Sequence, residues 1–100
     1  MNELLSHIES WKKAKSRIFA CEGYIVEVSE VTGTSKKSRY ISIETDKLVA
    51  RATLWESGEL ELEAIDIATS ERVIYKYEVT PNVLRLDDEL NGWLSEIAKY

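Results

Sequence analysis

Cysteine and histidine occur once each in this chain of 100 residues, as Cys21 and His7. A lone thiol forms no internal disulfide, and one thiol with one imidazole cannot supply the cysteine–histidine ligand set of a zinc site. The single histidine also removes most Ser/His and Cys/His catalytic schemes. It lies four residues before Trp11 beside an apolar helical stripe, where a surface or packing role is expected. Cys21 is expected to be a small packing residue near a helix end. No apolar run approaches the ~20 residues of a membrane span. Glu3, Ser6, His7 and Glu9 interrupt the apolar residues at the start, so no signal peptide is expected and the cytoplasm is the default location.

Hydrophobic residues make up 44% of the chain and charged ones 31%, which suits one globular domain over residues 1–100. The net charge of −5 is unevenly spread. Residues 1–50 hold eight Lys/Arg against seven Asp/Glu, and residues 51–100 hold five against eleven. An acidic half argues against direct nucleic-acid binding, because neutralising phosphates requires clustered Lys and Arg. It suits a basic partner, whose field it complements, although acidic surfaces also serve solubility.

The clearest local signal is the stretch from Leu54 to Ile67. Glu56-Ser57-Gly58 fits a three-residue hairpin loop, a type I turn ending in a bulge glycine that tolerates a left-handed backbone. That register sets Leu54 opposite Leu60, Ala52 opposite Leu62 and Ala50 opposite Ala64 on one apolar face. The other face then carries Trp55 beside Glu59, Thr53 beside Glu61 and Arg51 beside Glu63. A tryptophan among carboxylates, on the side the core does not need, marks Arg51, Trp55, Glu56, Glu59, Glu61 and Glu63 as the candidate binding surface.

Around this hairpin the pattern predicts helix, five-stranded antiparallel meander, helix, an α+β fold. Leu4, Leu5, Ile8, Trp11, Ala14 and Ile18 form an apolar stripe over residues 3–20, with Asn2 as N-cap and Gly23 past the end. Lys12, Lys13, Lys15 and Arg17 complement the macrodipole. Tyr24, Val26 and Val28 alternate in a first strand, and Ile41 and Ile43 in a second. Thr32 to Ser38 reads as a polar, mobile loop between them. A turn at Thr45-Asp46 would pair Ile43 with Leu48 and Ile41 with Ala50. In a fifth strand from about Arg72 to Val79, Tyr75 would face Ala64 and Tyr77 would face Leu62, which places both tyrosines in the core. Pro81 ends the sheet. Val83, Leu86, Leu90, Trp93, Leu94 and Ile97 then form a second helical stripe, capped by Thr80 or Asn82, with Asp87, Asp88 and Glu89 on its solvated face. Gly92 interrupts this helix, where it would let the backbone approach the sheet.

With the helices on one face, the expected core includes Leu54, Leu60, Leu62, Tyr75, Trp11 and Trp93. The opposite face then stays open, with Val49, Ile65 and Ile74 aligned beside a ladder of Arg51, Glu63 and Lys76; if the second helix covers this side instead, the apolar strip is core. No catalytic constellation, metal site or cofactor motif is evident. Glu59, Glu61 and Glu63 alternate along one strand face, and Gly33 to Ser38 lacks the second glycine of a phosphate loop. No enzyme is expected.

Leu54-Trp55-Glu56-Ser57-Gly58-Glu59, followed by Leu62-Glu63 and Ile65-Asp66, resembles the TriTu family of small bacterial immunity proteins. The layout is similar too: an N-terminal helix with Trp11, a strand-rich middle and an acidic, leucine-containing C-terminal helix. The resemblance implies a contact-dependent growth-inhibition immunity protein that binds and neutralises a cognate toxin domain in the cytoplasm. The family name implies a tRNA-cleaving nuclease, linked to elongation factor Tu through the toxin. A nuclease presents positive charge to hold phosphates, so the acidic hairpin face would be the toxin-binding surface. The alternative is a small acidic adaptor or secretion-chaperone-like protein, which would hold an unfolded segment in a groove or along a sheet edge.

Overall fold

The computed structural model describes residues 2–100. Two helices, α1 (Glu3–Ala14) and α2 (Ser16–Glu22), precede strands β1 (Ile25–Val28), β2 (Ser38–Glu44), β3 (Leu48–Trp55), β4 (Glu59–Asp66) and β5 (Arg72–Val79). Helix α3 (Val83–Ala98) follows them. The strands form one sheet in the order β1-β2-β3-β4-β5, each antiparallel to its neighbour. This is the expected α+β meander. Loops this short allow no crossover between parallel strands.

Along β3, and along β4 as far as Ile65, the side chains alternate between buried and more exposed. The inner face presents Leu54, Leu60, Leu62 and three fully buried alanines, Ala50, Ala52 and Ala64. The helices cover it with larger groups, among them Leu5, Ile8, Leu86, Leu90 and the indoles of Trp11 and Trp93. Those two rings lie 6.4 Å apart, so bulk from the helices fills what alanines leave on the sheet. Polar bonds fix the helix pair as well. Trp11 Nε1 donates to Asn91 Oδ1 at 3.0 Å, and His7 pairs with Asp87 at 2.7 Å.

The caps follow the sequence. Asn2 accepts from the Leu5 N–H, Asn82 accepts from the Arg85 N–H, and Gly23 ends α2 in the left-handed region at φ 72°. The N-terminal helix is broken, however. Lys15 (φ −98°, ψ 4°) interrupts it, and the reorientation buries Phe19 edge-on to Trp11 at 5.9 Å while leaving Ile18 45% exposed. Cys21 is exposed, not packed.

Two registers also differ from expectation. Ile43 pairs with Ala50 and Ile41 with Ala52, because the two-residue turn is Asp46-Lys47. Thr45 moves into the ladder, its N–H donating to Leu48 O, while its hydroxyl oxygen accepts from the N–H groups of Lys47 and Leu48. The shift is two residues, so the faces are preserved. In β5 the shift is one. Ala64 faces Ile74 and Ile65 faces Arg72, a bulge that absorbs one residue of β5 and inverts the strand. Ile74 therefore packs against the core, whereas Tyr75, Tyr77 and Val79 turn outward. Lys76, opposite Leu62, leaves the outer-face charge ladder and reaches Glu89 of α3 at 2.8 Å. Glu89 is buried on the inner side of α3, also paired with Arg85 at 2.9 Å, and does not belong to a solvated face. A Cβ at Gly92 would meet nothing within 4 Å, so this glycine is not needed for close approach to the sheet.

Candidate functional site

The tip of the β3–β4 hairpin is clamped from three sides. Gly58 N–H donates to Trp55 O at 2.9 Å, closing the turn, and Gly58 has φ 97°. Its carbonyl receives both the N–H and the hydroxyl of Thr80 at 2.7 Å. Asn2 Nδ2 donates to Glu56 O at 2.7 Å, and Glu56 N–H donates to Lys37 O at 2.8 Å. The loop before β2 is ordered by the same contacts. Thr32 and Ser38 exchange backbone bonds across it, and Lys37 N–H donates to the Glu56 carboxylate at 3.1 Å. A segment that reads as mobile in sequence is a brace for the hairpin.

The outer sheet face is open, as expected for helices packed on one side only. Val49 is 44% exposed and Ile65 39%, with Arg51 and Glu63 between them around a shallow hollow of about 280 Å³. Arg51 lies opposite Glu63, and its guanidinium stacks 4.0 Å from the Tyr40 ring centroid. Glu59, Glu61 and Glu63 project from one side of β4 at every second residue, roughly 7 Å apart.

These carboxylates are not equivalent. Glu59 receives Lys36 Nζ, Ser57 Oγ at 2.9 Å and the Tyr77 hydroxyl at 2.6 Å. The lysine first, then the two hydroxyls, hold its carboxyl down at about 2. Lys36 also lies 5.9 Å above the Trp55 ring, so ammonium, indole and carboxylate form one cluster. Glu61 accepts from the Tyr75 hydroxyl at 3.1 Å. These bonds to Glu61 and Glu59 raise the phenol pKa values of Tyr75 and Tyr77. Among the described residues no ion pair engages Glu61 or Glu63.

Arg51, Trp55, Glu59, Glu61 and Glu63 are therefore brought together on one exposed face. Glu56 sits at the tip, where its backbone and carboxylate are engaged in bracing the loop. Sequence reasoning missed Lys36, Tyr75 and Tyr77. The tyrosines were hidden by the apolar alternation of β5, and no spacing rule connects Lys36 to Glu59 across 23 residues.

The fold is thus a small α+β domain with one open sheet face, which carries carboxylates edged by aromatic rings. The family model described as "Immunity protein TriTu" matches residues 6–96, and the chain belongs to that family. Its role is that of an immunity protein, toxin neutralisation, and its partner is a cognate toxin. Among curated proteins nothing matches the chain. No helix among the described residues is long and apolar enough to cross a membrane.

Proposed function

We propose that the chain binds the toxic domain of a contact-dependent growth-inhibition effector in the cytoplasm. It does so through the outer face of β3 and β4, covering the toxin's active site or the approach of its substrate. The toxin is a basic nuclease acting on tRNA, with elongation factor Tu reached only through the toxin. The chain itself touches no nucleic acid and performs no catalysis. The observation that carries this reading is the carboxylate row of Glu59, Glu61 and Glu63 on an exposed sheet face. At phosphate-like intervals such a row offers a phosphate-binding protein the field of its own substrate. Trp55 and Arg51 add residue types that concentrate binding energy at interfaces.

Co-expression with the toxin domain encoded beside this gene tests the reading. Cells should survive with the wild-type protein and die with a variant carrying Trp55→Ala and Glu61→Lys. If the wild-type protein gives no protection, toxin binding by this chain is refuted. If the double variant protects as well as wild type, binding lies on another face.

A further inference from the structure

β5 closes one edge of the sheet with eight residues, and β1 closes the other with four. An edge strand offers its outward N–H and C=O groups to another chain unless something blunts them. Two hydrogen bonds bear on the outward groups of β5. Thr80 N–H, just past the strand, donates to Gly58 O, so even-numbered residues turn their backbone groups toward β4. The Tyr100 hydroxyl donates to the Val73 carbonyl at 3.3 Å, so at the bulge residue that carbonyl is held by a group from outside the ladder. Beyond Val73, the outward backbone groups belong to Tyr75, Tyr77 and Val79. Their side chains are 49%, 50% and 56% exposed, so an open backbone edge and an apolar strip coincide.

We infer that this edge pairs with a second copy of the chain, antiparallel through Tyr75–Val79 about a two-fold axis at Tyr77. Self-pairing sets odd residues opposite odd ones, which leaves four registers in competition. An axis at Tyr75 needs the Val73 carbonyl, which Tyr100 already holds. An axis at Lys76 or at Glu78 sets that charged residue directly opposite its copy, and like charges in that position repel. An axis at Tyr77 sets Lys76 opposite the partner's Glu78, twice by symmetry, and Tyr75 opposite the partner's Val79. The Lys76 and Glu78 side chains remain 50% and 33% exposed, so each has surface left for this contact. An axis normal to the sheet puts the two outer faces on the same side. The dimer thus presents two carboxylate rows on one extended sheet, and its formation requires no toxin.

Sedimentation velocity on the purified protein alone, over rising concentration, should show the monomer mass doubling. Cysteine cross-linking fixes the register, in a Cys21→Ser background because Cys21 is itself exposed. Tyr77→Cys should oxidise to a covalent dimer, since opposed Cα atoms of a hydrogen-bonded antiparallel pair lie about 5.5 Å apart, within disulfide reach. Tyr75→Cys, facing the partner's Val79, should not. Val79→Pro removes an outward N–H while sparing the bonds to β4, and should return the protein to monomer with its circular dichroism unchanged. The inference is overturned by a monomer at every concentration, by preferential cross-linking through Tyr75→Cys, or by a Val79→Pro protein that still dimerises. If Tyr77→Cys does not fold, the comparison of Val79→Pro with wild type decides.

Discussion

Single residues carry more of this fold than their size suggests. A Cβ on Gly58 would stand 2.5 Å from the Thr80 carbonyl oxygen, and φ 97° strains any L side chain. Gly58→Ala should therefore cost more than ~1 kcal/mol in urea unfolding, because steric conflict adds to backbone strain. Leu62, 2% exposed at the centre of the inner face, should cost roughly 2–5 kcal/mol when truncated to alanine. Glu59 sets a pH dependence whose sign is fixed by its lowered carboxyl, at about 2. Its contribution is complete above the ordinary carboxylate range and disappears as pH falls toward 2. An NMR titration should find Glu59 still ionised at pH values below the ordinary carboxylate range. Lys36→Met should move its midpoint back toward the ordinary range. The positions of Gly58, Leu62 and Glu59 were legible in sequence because one tight turn determines all three. Lys36 was not, since only the folded loop brings it to the hairpin.

At the scale of elements, legibility followed the turns. The β3–β4 hairpin declares its register through Gly58, and the expected pairs from Ala50–Ala64 to Leu54–Leu60 are present. The β2–β3 turn has no glycine, and the decisive group is the Thr45 hydroxyl, which accepts from two backbone N–H groups. Thr45→Val keeps the shape and removes that acceptor, so it should cost about 1 kcal/mol in the same unfolding assay. A cost near zero would show that the turn closes without the hydroxyl. β5 misleads for a different reason. Hydrophobic alternation identifies the inner face only where the strand lies over the core, and beyond Ile74 the even side chains of β5 lie at its margin. There Lys76 and Glu78 form an ionic rim with Arg85 and Glu89 of α3, so polar residues occupy the inward positions. Tyr75 and Tyr77, freed to the other face, find carboxylates. The break at Lys15 was equally hidden, because Ile18 and Phe19 are both apolar and periodicity alone does not choose between them.

On the scale of the whole molecule, the proposed basic toxin would meet the field of the acidic half of the chain together with that of its open sheet face. Long-range attraction depends on net charge, so Glu59→Gln and Glu61→Gln should each slow toxin association at low ionic strength. The difference should shrink as salt shortens the screening length to about 10 Å near 0.1 M. Dissociation separates the two. Glu59 is already held by Lys36, Ser57 and Tyr77, whereas Glu61 has only the Tyr75 hydroxyl. A toxin cation therefore meets Glu61 without displacing anything, and Glu61→Gln should speed dissociation while Glu59→Gln leaves it nearly unchanged. Trp55→Ala should act mainly on dissociation too, weakening the complex by at least ~2 kcal/mol with little loss of fold stability. Surface plasmon resonance against the immobilised toxin domain, run at two salt concentrations, resolves these rates. Should Glu59→Gln instead dissociate as fast as Glu61→Gln, the toxin must take Lys36's place on Glu59, and the cluster over Trp55 would be the point of contact.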